Sequence, residues 1–374
     1  MKKNPNILII SDLFPQDEKD YAGIYVVDYA KSVQPWFDVH VFHPKLMGTN
    51  KGTRNLTIFD LLVTRYAFTN KSLGKIKKLV AYNSWFKQAT EIGNSIGKFD
   101  LIHAHGSALA GNVAKRIAKQ QGINYLITEH TGPFSTISNN ATRLKYCKSA
   151  IKDAAALLNV SFHSQNEMNQ AGVVHEKQEV TFNPVNVQVF QNKNQQRAKQ
   201  LLFVSRFDEF KGGLRTLKAF QESKLSEQGW KLIFIGEGEE EEAMKQYANE
   251  HQMGEVEFQG LQTKVEINKA LNQSAALVFP SRHETFGLVA AESLTCGTPV
   301  ICTNQTGPSE YTNPSNSISV QPDQIEDIKE AMLKIANADN QFDHQLISEN
   351  AIKAFGLDAF GLKLKNIYLQ HIRN

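Results

Sequence analysis

Alternation between strand-like and helix-like segments constrains this chain more than any other feature of its sequence. Short apolar, β-branched runs are followed by longer segments with apolar residues at helical spacing, as at 107–121, where Gly122 then takes the position of a C-terminal cap. Such alternation is typical of βαβ units, which build a parallel sheet with helices on its faces. The predicted strands are 6–11, 37–42, 100–105, 125–130 and 156–162 in a first series, and 201–207, 231–235, 256–258, 275–280 and 299–303 in a second.

The length of the chain and one polar segment indicate two domains. A single core stops growing near about 250–300 residues, and this chain has 374. Residues 191–200 are polar and have no strand pattern, so they are predicted to be an interdomain linker. We expect a Rossmann-like acceptor-binding domain at 1–190 and a Rossmann-like nucleotide-binding domain at 191–356. A final helical segment, 357–374, has an apolar face that must pack on another element, with the first domain as a candidate. That face consists of Phe360, Leu364, Ile367 and Tyr368.

Composition excludes several classes of protein. A hydrophobic fraction of 41% with 21% charged residues is typical of a folded globular protein, and a formal net charge of +3 is too small to indicate a nucleic-acid partner. The apolar run at 7–10 is too short for a secretory segment, and no run reaches the ~18–20 residues that span a bilayer. Cys147, Cys296 and Cys302 lack metal-ligand spacing and are expected to be free thiols. Free thiols fit a reducing compartment, so a cytoplasmic protein is expected.

One basic and aromatic stretch leaves peripheral contact with a membrane open. The lysines of 71–78 lead into Trp85 and Phe86 within a helical pattern. Such a helix can lie in an anionic interface, here at the inner face of a membrane. The same pattern is also typical of ordinary packing, with the aromatic face on the sheet and the lysines in water.

The segment from Pro280 to Pro299 contains the most informative chemistry. A buried strand ends at Pro280, a loop carries Glu284, and Gly287 precedes a helix. The first amides of that helix, with its dipole, would bind a diphosphate without a metal. Glu292 lies inside an apolar helical turn, which usually excludes a carboxylate unless it has hydrogen-bonding partners such as a ribose diol. In the alternative interpretation, Glu284 only caps the helix and Glu292 faces water.

These residues resemble the double-glutamate motif of retaining GT-B glycosyltransferases, specifically glycosyltransferase family 4, or glycosyl transferases group 1. Glu284 and Glu292 are separated by seven residues, with Phe286-Gly287 between them. Four upstream segments match the same family's carboxyl-terminal domain in kind and order, which makes the likeness specific and extends it over most of the chain. They are Val204-Ser205-Arg206-Phe207, Lys211-Gly212-Gly213, Ile235-Gly236-Glu237-Gly238 and Phe258-Gln259-Gly260.

The resemblance implies the GT-B fold, an α/β architecture in which two Rossmann-like, doubly wound parallel-sheet domains face each other across a cleft. It implies a hexosyltransferase-type enzyme that transfers a sugar, with retention of configuration, from a nucleotide diphosphate sugar to a hydroxyl acceptor. A UDP-sugar is the commonest donor of the family, and glycan or lipid-linked acceptors in cell-surface polysaccharide or glycolipid synthesis fit its reactions. No cofactor and no metal are expected, because no Asp-X-Asp motif is present and cations with backbone amides can replace a divalent ion.

The same resemblance implies roles for individual side chains. Arg206 and Lys211 would clamp the diphosphate from the side opposite the helix start, although alone they would be interpreted as surface cations flanking a turn. Glu284 would position the donor sugar, Glu292 would bind the ribose, and Glu237 would lie near the nucleoside. The expected catalytic residues are Glu284, His130, Arg206 and Lys211, and the expected donor-binding residues are Gly23, Arg206, Lys211, Glu237, Phe286, Gly287, Leu288 and Glu292.

In the first domain, Gly23 and three histidines are the candidate residues. The family usually has a glycine pair near the donor phosphate after the first strand, and this chain has Ala22-Gly23, so only Gly23 corresponds. His130 ends a buried strand and is expected to orient the transferred sugar or the acceptor as a hydrogen-bond donor. Of His103 and His105, one is expected to pack inward and the other to line the cleft. A zinc site built from the three histidines has suitable ligands but no motif.

Other functions fit the sequence less well. Gly236-Glu237-Gly238 lacks the third glycine of a dinucleotide fingerprint, since position 241 is Glu241. A GT-B sugar-nucleotide 2-epimerase shares the architecture but uses no acceptor, and the glutamate spacing with Arg206 and Lys211 favours a transferase. Loss of Glu284, Arg206 or Lys211 would have suggested a non-catalytic nucleotide-sugar-binding subunit, but all are present. The sequence leaves the donor sugar, the base and the acceptor open.

Overall fold

Two separate sheets organise the chain, as the alternating pattern predicts. The computed structural model of the chain describes residues 4–17, 20, 22–46, 52–68, 75–337 and 342–373, and of residues 75–81 the backbone alone. The chain divides into a first unit, Met1–Pro184 with Leu357–Asn374, and a second unit, Val185–Gly356. The division after Pro184 differs from the predicted boundary after residue 190. Each unit has its own sheet and its own core.

The first unit has an eight-stranded sheet with apolar clusters on both faces. Its strands are β1 (Asn6–Ser11), β2 (Asp38–Lys45), β3 (Gly52–Ile58), β4 (Leu61–Ala67), β5 (Leu101–His105), β6 (Asn124–Glu129), β7 (Ala156–Asn159) and β8 (Gln178–Val180). Its helices are α1 (Ile24–Val33), α2 (Lys75–Ile96), α3 (Ala110–Gln121), α4 (Ser135–Ser138), α5 (Ala141–Lys152), α6 (Phe162–Gln170) and α13 (Leu357–His371). The strand order is β3-β4-β2-β1-β5-β6-β7-β8, with β3 antiparallel to β4 and the other pairs parallel. Because successive strand side chains alternate, Ile7 and Ile9 enter one cluster while Leu8 and Ile10 enter the other.

The second unit has a six-stranded, fully parallel sheet. Its strands are β9 (Gln200–Val204), β10 (Lys231–Ile235), β11 (Val256–Phe258), β12 (Ala276–Phe279), β13 (Val300–Thr303) and β14 (Ser317–Val320). Its helices are α7 (Gly213–Ser223), α8 (Glu241–Glu250), α9 (Lys264–Gln273), α10 (Leu288–Thr295), α11 (Ile325–Asn337) and α12 (His344–Phe355), with 3-10 turns at Leu225–Gln228 and Gly307–Glu310. The strand order is β11-β10-β9-β12-β13-β14. The order reverses between β9 and β12, so the loops after these two strands meet at the switch point where such sheets bind ligands.

Every predicted strand forms, with ends shifted by a few residues, but the prediction omitted β3, β4, β8 and β14. Of these, β3, β8 and β14 lie at sheet edges. Edge strands are short and partly polar, so their period-2 signal is weak. The hairpin of β3 and β4 turns at Phe59 and Asp60, whose φ values are 52° and 61°. Its turn therefore lacks the glycine or asparagine by which such hairpins are usually identified.

The polar segment at 191–200 is anchored to the second unit rather than being a free linker. The guanidinium of Arg197 donates to the carbonyl oxygens of Leu271, Ser274 and Cys296, each at 2.9 Å. These carbonyls lie at or near the ends of α9 and α10, where helical oxygens lack intrahelical partners. Arg197, one of the polar residues that suggested a linker, therefore satisfies carbonyls at helix ends.

The C-terminal helix α13 packs on the first unit, its candidate partner. Its apolar face lies in the core cluster that also contains Val26, Tyr29 and Val33 of α1. The hydroxyl of Tyr368 is 2.7 Å from Nδ1 of His103, which joins the last helix to β5. The buried residues of that face are the predicted Phe360, Leu364, Ile367 and Tyr368.

We expect Leu364→Ala to lower the free energy of unfolding by about 2–5 kcal/mol, since truncating a buried leucine removes apolar contacts and leaves a cavity. Leu364 is 1% exposed, whereas Leu362 on the same helix is 51% exposed. Leu362→Ala is therefore the matched control and should change the value by no more than about 0.5 kcal/mol. Urea unfolding followed by circular dichroism measures both. Equal effects of the two substitutions would contradict the packing of α13 in this core.

The basic and aromatic stretch in α2 does not present its aromatic residues to a membrane. Trp85 and Phe86 are both fully buried in a core cluster of the first unit. Lys71 and the side chains of Lys75, Lys77 and Lys78 lie outside the described residues. Packing therefore explains the aromatic part of this pattern, and the interfacial interpretation is wrong for Trp85 and Phe86. In the described part of the chain no helix is long and apolar enough to cross a bilayer.

The cysteines agree with the sequence analysis. Cys147, Cys296 and Cys302 are all buried and unpaired with one another, as expected for free thiols. Burial raises the pKa of the Cys147 thiol to about 12 and that of Cys302 to about 11. Both stay protonated near neutral pH, which makes them inert core residues.

Candidate functional site

A helix start in the second unit lies at the position where the sequence predicts an anion site. The chain leaves β12, runs through a loop and reaches Gly287, the N-cap of α10, whose φ is 78°. A Cβ at Gly287 would lie 2.5 Å from Cγ of Pro308, so both the backbone conformation and the packing require glycine here. The first amides of a helix have no intrahelical acceptor, and the helix dipole makes this end positive. The loop and helix together therefore form a site suited to a diphosphate.

Lys211 and Glu284 lie together beside this helix start. Nζ of Lys211 is 2.5 Å from Oε2 of Glu284, with the two side chains 22% and 17% exposed. The amide of Arg282 donates to the carbonyl of Phe210 at 2.8 Å, which joins the loop after β12 to the loop after β9. The N-cap residue of α10 is Gly287, which has no side chain to bind the first amides of the helix. The carboxylate of Glu284 pairs with the ammonium group of Lys211 and orients it.

Asp208 organises the two predicted cations and was not identified from the sequence. Its side chain is 5% exposed, and its Oδ2 accepts from Nε of Arg206 at 2.7 Å. Its Oδ1 accepts from the backbone amide of Lys211 at 3.1 Å. The side chain of Arg206 is 74% exposed. Asp208 thus fixes both the solvent-facing guanidinium of Arg206 and the backbone at Lys211. Its position two residues after Arg206 is the feature of the sequence that could have identified it.

Glu292 is buried, as its apolar surroundings predict. It is 7% exposed within α10, so the interpretation that it faces water is wrong. Phe286 is 1% exposed, and its ring lies 5.3 Å from that of Tyr311 and 5.6 Å from that of Phe355. The side chain of Phe286 therefore packs against other aromatic rings and does not face solvent. Leu288 is the first residue of α10, so its backbone N–H is one of the first amides of that helix.

The glycines flanking Glu237 are required by packing between two strand ends. A Cβ at Gly236 would lie 1.9 Å from the carbonyl oxygen of Ser205, and one at Gly238 would lie 2.3 Å from that of Phe207. The amide of Phe207 donates to the carbonyl of Glu237 at 2.9 Å. The turn therefore lies against the segment that carries Arg206, and the exposed carboxylate of Glu237 borders the same edge of the sheet.

In the first unit, Gly23 begins α1 in the left-handed region, with φ of 75°. A Cβ at this position would lie 2.3 Å from the carbonyl oxygen of Leu13, in the loop after β1. Glycine is therefore required for the loop and the helix start to approach one another. The neighbouring Ala22 is held by its amide, which donates to Asp20 at 2.9 Å.

His103 is a core residue rather than a metal ligand. Its Nδ1 is 2.7 Å from the hydroxyl of Tyr368, and its Nε2 is 2.6 Å from Oγ1 of Thr128. Burial lowers the pKa of His103 to about 3, so the ring is neutral. Because both ring nitrogens already have partners, a zinc site that uses this histidine is not compatible with the structure. His103 is thus the inward-packing member of the pair predicted from the sequence.

His105 and His130 are coupled at the carboxyl ends of β5 and β6. Nδ1 of His105 lies 2.9 Å from Nε2 of His130, and burial lowers the pKa of both rings, to about 3 for His130. Two neutral rings carry one N–H each, so one ring donates to the other. Nδ1 of His130 has no hydrogen-bond partner among the described residues. If His105 is the donor, His130 keeps an N–H on Nδ1 that can orient a substrate hydroxyl.

Glu129 holds the backbone beside His130. Its Oε1 accepts from the amides of His130 and Thr131 at 3.0 and 2.9 Å, and its Oε2 accepts from the amide of Ser107 at 2.9 Å. Glu129 is 1% exposed. A buried carboxylate with several amide donors is a rigid support, so the position of His130 is set before a ligand arrives.

His105, Glu129 and His130 line a cavity of about 470 Å³, and all of its lining residues belong to the first unit. Asp12, Tyr25, His105, His130 and Arg143 are among its lining residues. The ring of His130 stacks on that of Tyr25 with centroids 4.1 Å apart. Burial, with a smaller contribution from the charge of Glu129, raises the pKa of Asp12 to about 6. Asp12 and Tyr25 were not identified from the sequence.

The fold defines the class of protein. Sucrose-phosphate synthase from Thermosynechococcus elongatus matches with a TM-score of 0.78 and 17% identity, covering 98% of each chain. HepE of Anabaena, in complex with UDP and glucose, matches with a TM-score of 0.74 and 16% identity, covering 98% of this chain and 100% of HepE. The chain has the GT-B fold of glycosyltransferases, as the resemblance implied.

The chain belongs to glycosyltransferase family 4, the glycosyl transferases group 1. The Glycosyltransferase Family 4 model matches residues 22–189, and the Glycosyl transferases group 1 model matches residues 185–353. An uncharacterized glycosyltransferase of Methanocaldococcus jannaschii is 24% identical over 347 residues, or 88% of this chain and 96% of the relative. The GDP-mannose:cellobiosyl-diphosphopolyprenol alpha-mannosyltransferase of Xanthomonas oryzae pv. oryzae is 22% identical over 270 residues, or 70% of this chain and 71% of the relative.

Proposed function

We propose that this glycosyltransferase transfers a sugar, with retention of anomeric configuration, from a nucleotide diphosphate sugar to an acceptor hydroxyl. The observation that carries the proposal is the Lys211–Glu284 pair in the loops beside the start of α10. A diphosphate is the ligand that such a combination of ammonium group and helix amides suits. The donor binds the second unit, and the first unit binds the acceptor.

Stabilisation of the leaving group is the main catalytic contribution. In the transfer, the bond between the anomeric carbon and the diphosphate oxygen breaks, the acceptor oxygen bonds to that carbon, and the proton of the acceptor hydroxyl passes to the departing diphosphate. Negative charge therefore accumulates on the departing oxygen. Lys211, Arg206 and the amides of Gly287 and Leu288 supply preorganised positive charge and donors for it.

The remaining residues position the two substrates. Glu284 accepts from the donor sugar while holding Lys211, and the buried Glu292 accepts from the ribose hydroxyls. Glu237 borders the nucleoside. His130, kept neutral by burial and supported by Glu129, donates to the transferred sugar or to the acceptor. Each role needs hydrogen bonding rather than proton abstraction, which agrees with the departing diphosphate as the proton acceptor.

A UDP-sugar donor and a glycan or lipid-linked acceptor complete the proposal. HepE has been solved with UDP and with UDP-glucose, which supports uridine as the base. The Xanthomonas relative acts on a diphosphopolyprenol-linked cellobiose, and a further relative lies in a cps region of Klebsiella pneumoniae. These relatives support a role in cell-surface polysaccharide or glycolipid synthesis.

Metal independence is part of the same proposal. The cations Arg206 and Lys211 and the start of α10 provide the positive charge that a divalent ion supplies in other transferases. The carboxylates nearest to them are already engaged, since Asp208 binds Arg206 and Glu284 binds Lys211.

A panel of sugar nucleotides tests the proposal. We expect purified enzyme to release nucleotide diphosphate from one donor, with the highest rate for a UDP-sugar and an acceptor glycan present, and to do so equally in excess EDTA. Proton NMR of the product should show the anomeric configuration of the donor. Loss of activity in EDTA with recovery in Mg²⁺ or Mn²⁺ would overturn metal independence.

The same experiment separates the alternatives that share this fold. Epimerised sugar formed without an acceptor would favour a sugar-nucleotide 2-epimerase. Donor binding without any release of nucleotide diphosphate would favour a non-catalytic subunit. Release from no donor, with no binding, would contradict the proposed site.

A further inference from the structure

Tyr311 lies behind the loop that precedes α10. It follows the 3-10 turn Gly307–Glu310, which comes after β13. Its hydroxyl oxygen is 2.7 Å from the carbonyl oxygen of Phe286 and 2.9 Å from that of Gly287. Its ring lies 5.3 Å from the ring of Phe286 and 5.0 Å from the ring of Phe355. One phenol therefore contacts two successive carbonyls of the loop.

Holding these carbonyls determines where the following amides point. In a trans peptide, the C=O and the N–H lie in one plane and point in opposite directions. The carbonyl of Phe286 shares its peptide group with the N–H of Gly287, and the carbonyl of Gly287 shares its peptide group with the N–H of Leu288. Both N–H groups therefore point away from Tyr311. They are the two amides assigned above to the donor diphosphate.

The same segment also holds the beginning of the loop. The amide of Gly307 donates to the carbonyl of Glu284 at 2.9 Å. A Cβ at Gly307 would lie 2.0 Å from the carbonyl oxygen of Thr285, so this segment fits closely against the loop. The segment after β13 thus supports both ends of the loop. The amide of Gly307 binds the carbonyl of Glu284, and the hydroxyl of Tyr311 binds the carbonyls of Phe286 and Gly287.

A hydroxyl is needed at this point because Gly287 does not restrict its own backbone. Glycine adopts many φ and ψ values, and the φ of 78° at Gly287 is one of them. The peptide group after Gly287 is also held by the helix, since its carbonyl accepts from the amides of Ala290 and Ala291 at 2.9 and 3.2 Å. The peptide group before Gly287 precedes the helix, and the hydroxyl of Tyr311 donates to its carbonyl at 2.7 Å. Burial, with smaller contributions from Cys302 and Glu284, raises the pKa of Tyr311 well above its ordinary value. Tyr311 therefore remains a hydrogen-bond donor throughout the pH range of an assay.

We propose that Tyr311 is a positioning residue for the donor: its hydroxyl aims the amide of Gly287 at the donor diphosphate and adds to the helix bonds that hold the amide of Leu288. This inference rests on the proposed function, because it assumes that the diphosphate binds at the start of α10. Tyr311 acts through the backbone and does not itself contact the substrate. Its contribution is specific for the diphosphate and not for the nucleoside.

Tyr311→Phe tests this role because it removes the hydroxyl and keeps the ring that packs on Phe286 and Phe355. Tyr247→Phe is the matched control: Tyr247 lies on α8 of the same unit, with its hydroxyl 3.4 Å from Gln221. Isothermal titration calorimetry measures the Kd of UDP and of uridine for wild type and both variants. If the panel identifies another base, its diphosphate and nucleoside replace these probes.

We expect Tyr311→Phe to weaken UDP binding about tenfold, the effect of losing one hydrogen bond that orders a charged contact, while the Kd of uridine stays unchanged. The KM for the donor should rise in parallel, and Tyr247→Phe should match wild type. UDP affinity equal to that of wild type would overturn the proposal. Equal weakening of UDP and uridine would also overturn it, since a general disturbance of the unit affects both.

The outcome for wild type tests the proposed function separately. If wild type binds UDP no better than uridine, no diphosphate site exists at α10, and the proposed function fails together with the role of Tyr311. If wild type prefers UDP and Lys211→Ala abolishes that preference while Tyr311→Phe does not, the proposed function stands and the inference about Tyr311 is wrong.

Discussion

Lys211→Ala should lower kcat by about 10²-fold or more, since one preorganised charge on a developing anion contributes about 3 kcal/mol to the transition state. Lys211 is suited to this role because Glu284 holds its ammonium group at 2.5 Å and Asp208 accepts from its amide. Arg206→Ala should cause a loss of similar size, because its guanidinium is held by Asp208 and faces solvent before the donor binds. Initial rates of nucleotide diphosphate release at saturating donor measure both effects.

Lys269→Ala is the matched control for the loss of a positive charge. Lys269 is exposed on α9 of the same unit, so its removal should leave kcat within about twofold of wild type. Thermal unfolding of each variant verifies that the enzyme remains folded. Near-normal turnover in folded Lys211→Ala and Arg206→Ala would show that neither cation stabilises the leaving group.

We expect Gly287→Ala to have the second large effect, a fall in kcat/KM of about 10²-fold. The reason is that a small displacement of the groups that bind the donor lowers the rate by about that factor. The φ of 78° strains any other residue, and a Cβ would meet Cγ of Pro308 at 2.5 Å and Cγ of Glu284 at 3.2 Å. Relief of either contact moves the helix start or the carboxylate that holds Lys211. The free energy of unfolding should also decrease, by about 1–3 kcal/mol.

Gly254→Ala distinguishes this effect from a general intolerance of alanine. Gly254 lies in the same unit, and a Cβ built on it has no atom within 4 Å. Alanine there should leave kcat/KM unchanged and alter stability by no more than about 1 kcal/mol. Comparable activity of the two glycine variants would contradict the assignment of the α10 start as the diphosphate site.

The candidate site was predictable where its signal is local. The strand that ends at Pro280, the glycine at 287 and the helix after it follow one another in the chain, so their pattern indicates an anion site. The burial of Glu292 could be predicted in the same way from its apolar neighbours. For the same reason the four ordered segments, together with the pair Glu284 and Glu292, were sufficient to identify the family.

Contacts between distant segments were not predictable. Tyr311 approaches Gly287 from another strand end, and nothing in its neighbours indicates that its hydroxyl meets two carbonyls. Asp12 lines the cavity of the first unit with His130 only because β1 and β6 both lie beside β5. A single sequence does not specify which strand ends become neighbours in the fold.

The sequence by itself determined ten of the described strands in their order, the helix start at Gly287 and the family, because each depends on periodicity or on adjacent residues. Only the tertiary structure decided that Lys211 meets Glu284 across 73 positions and that Tyr368 meets His103 across 265. It also decided that the polar segment at 191–200 binds helix ends through Arg197. The physical reason is that strand order brings distant segments together, and a side chain's hydrogen-bonding partner depends on that order rather than on its neighbours along the chain.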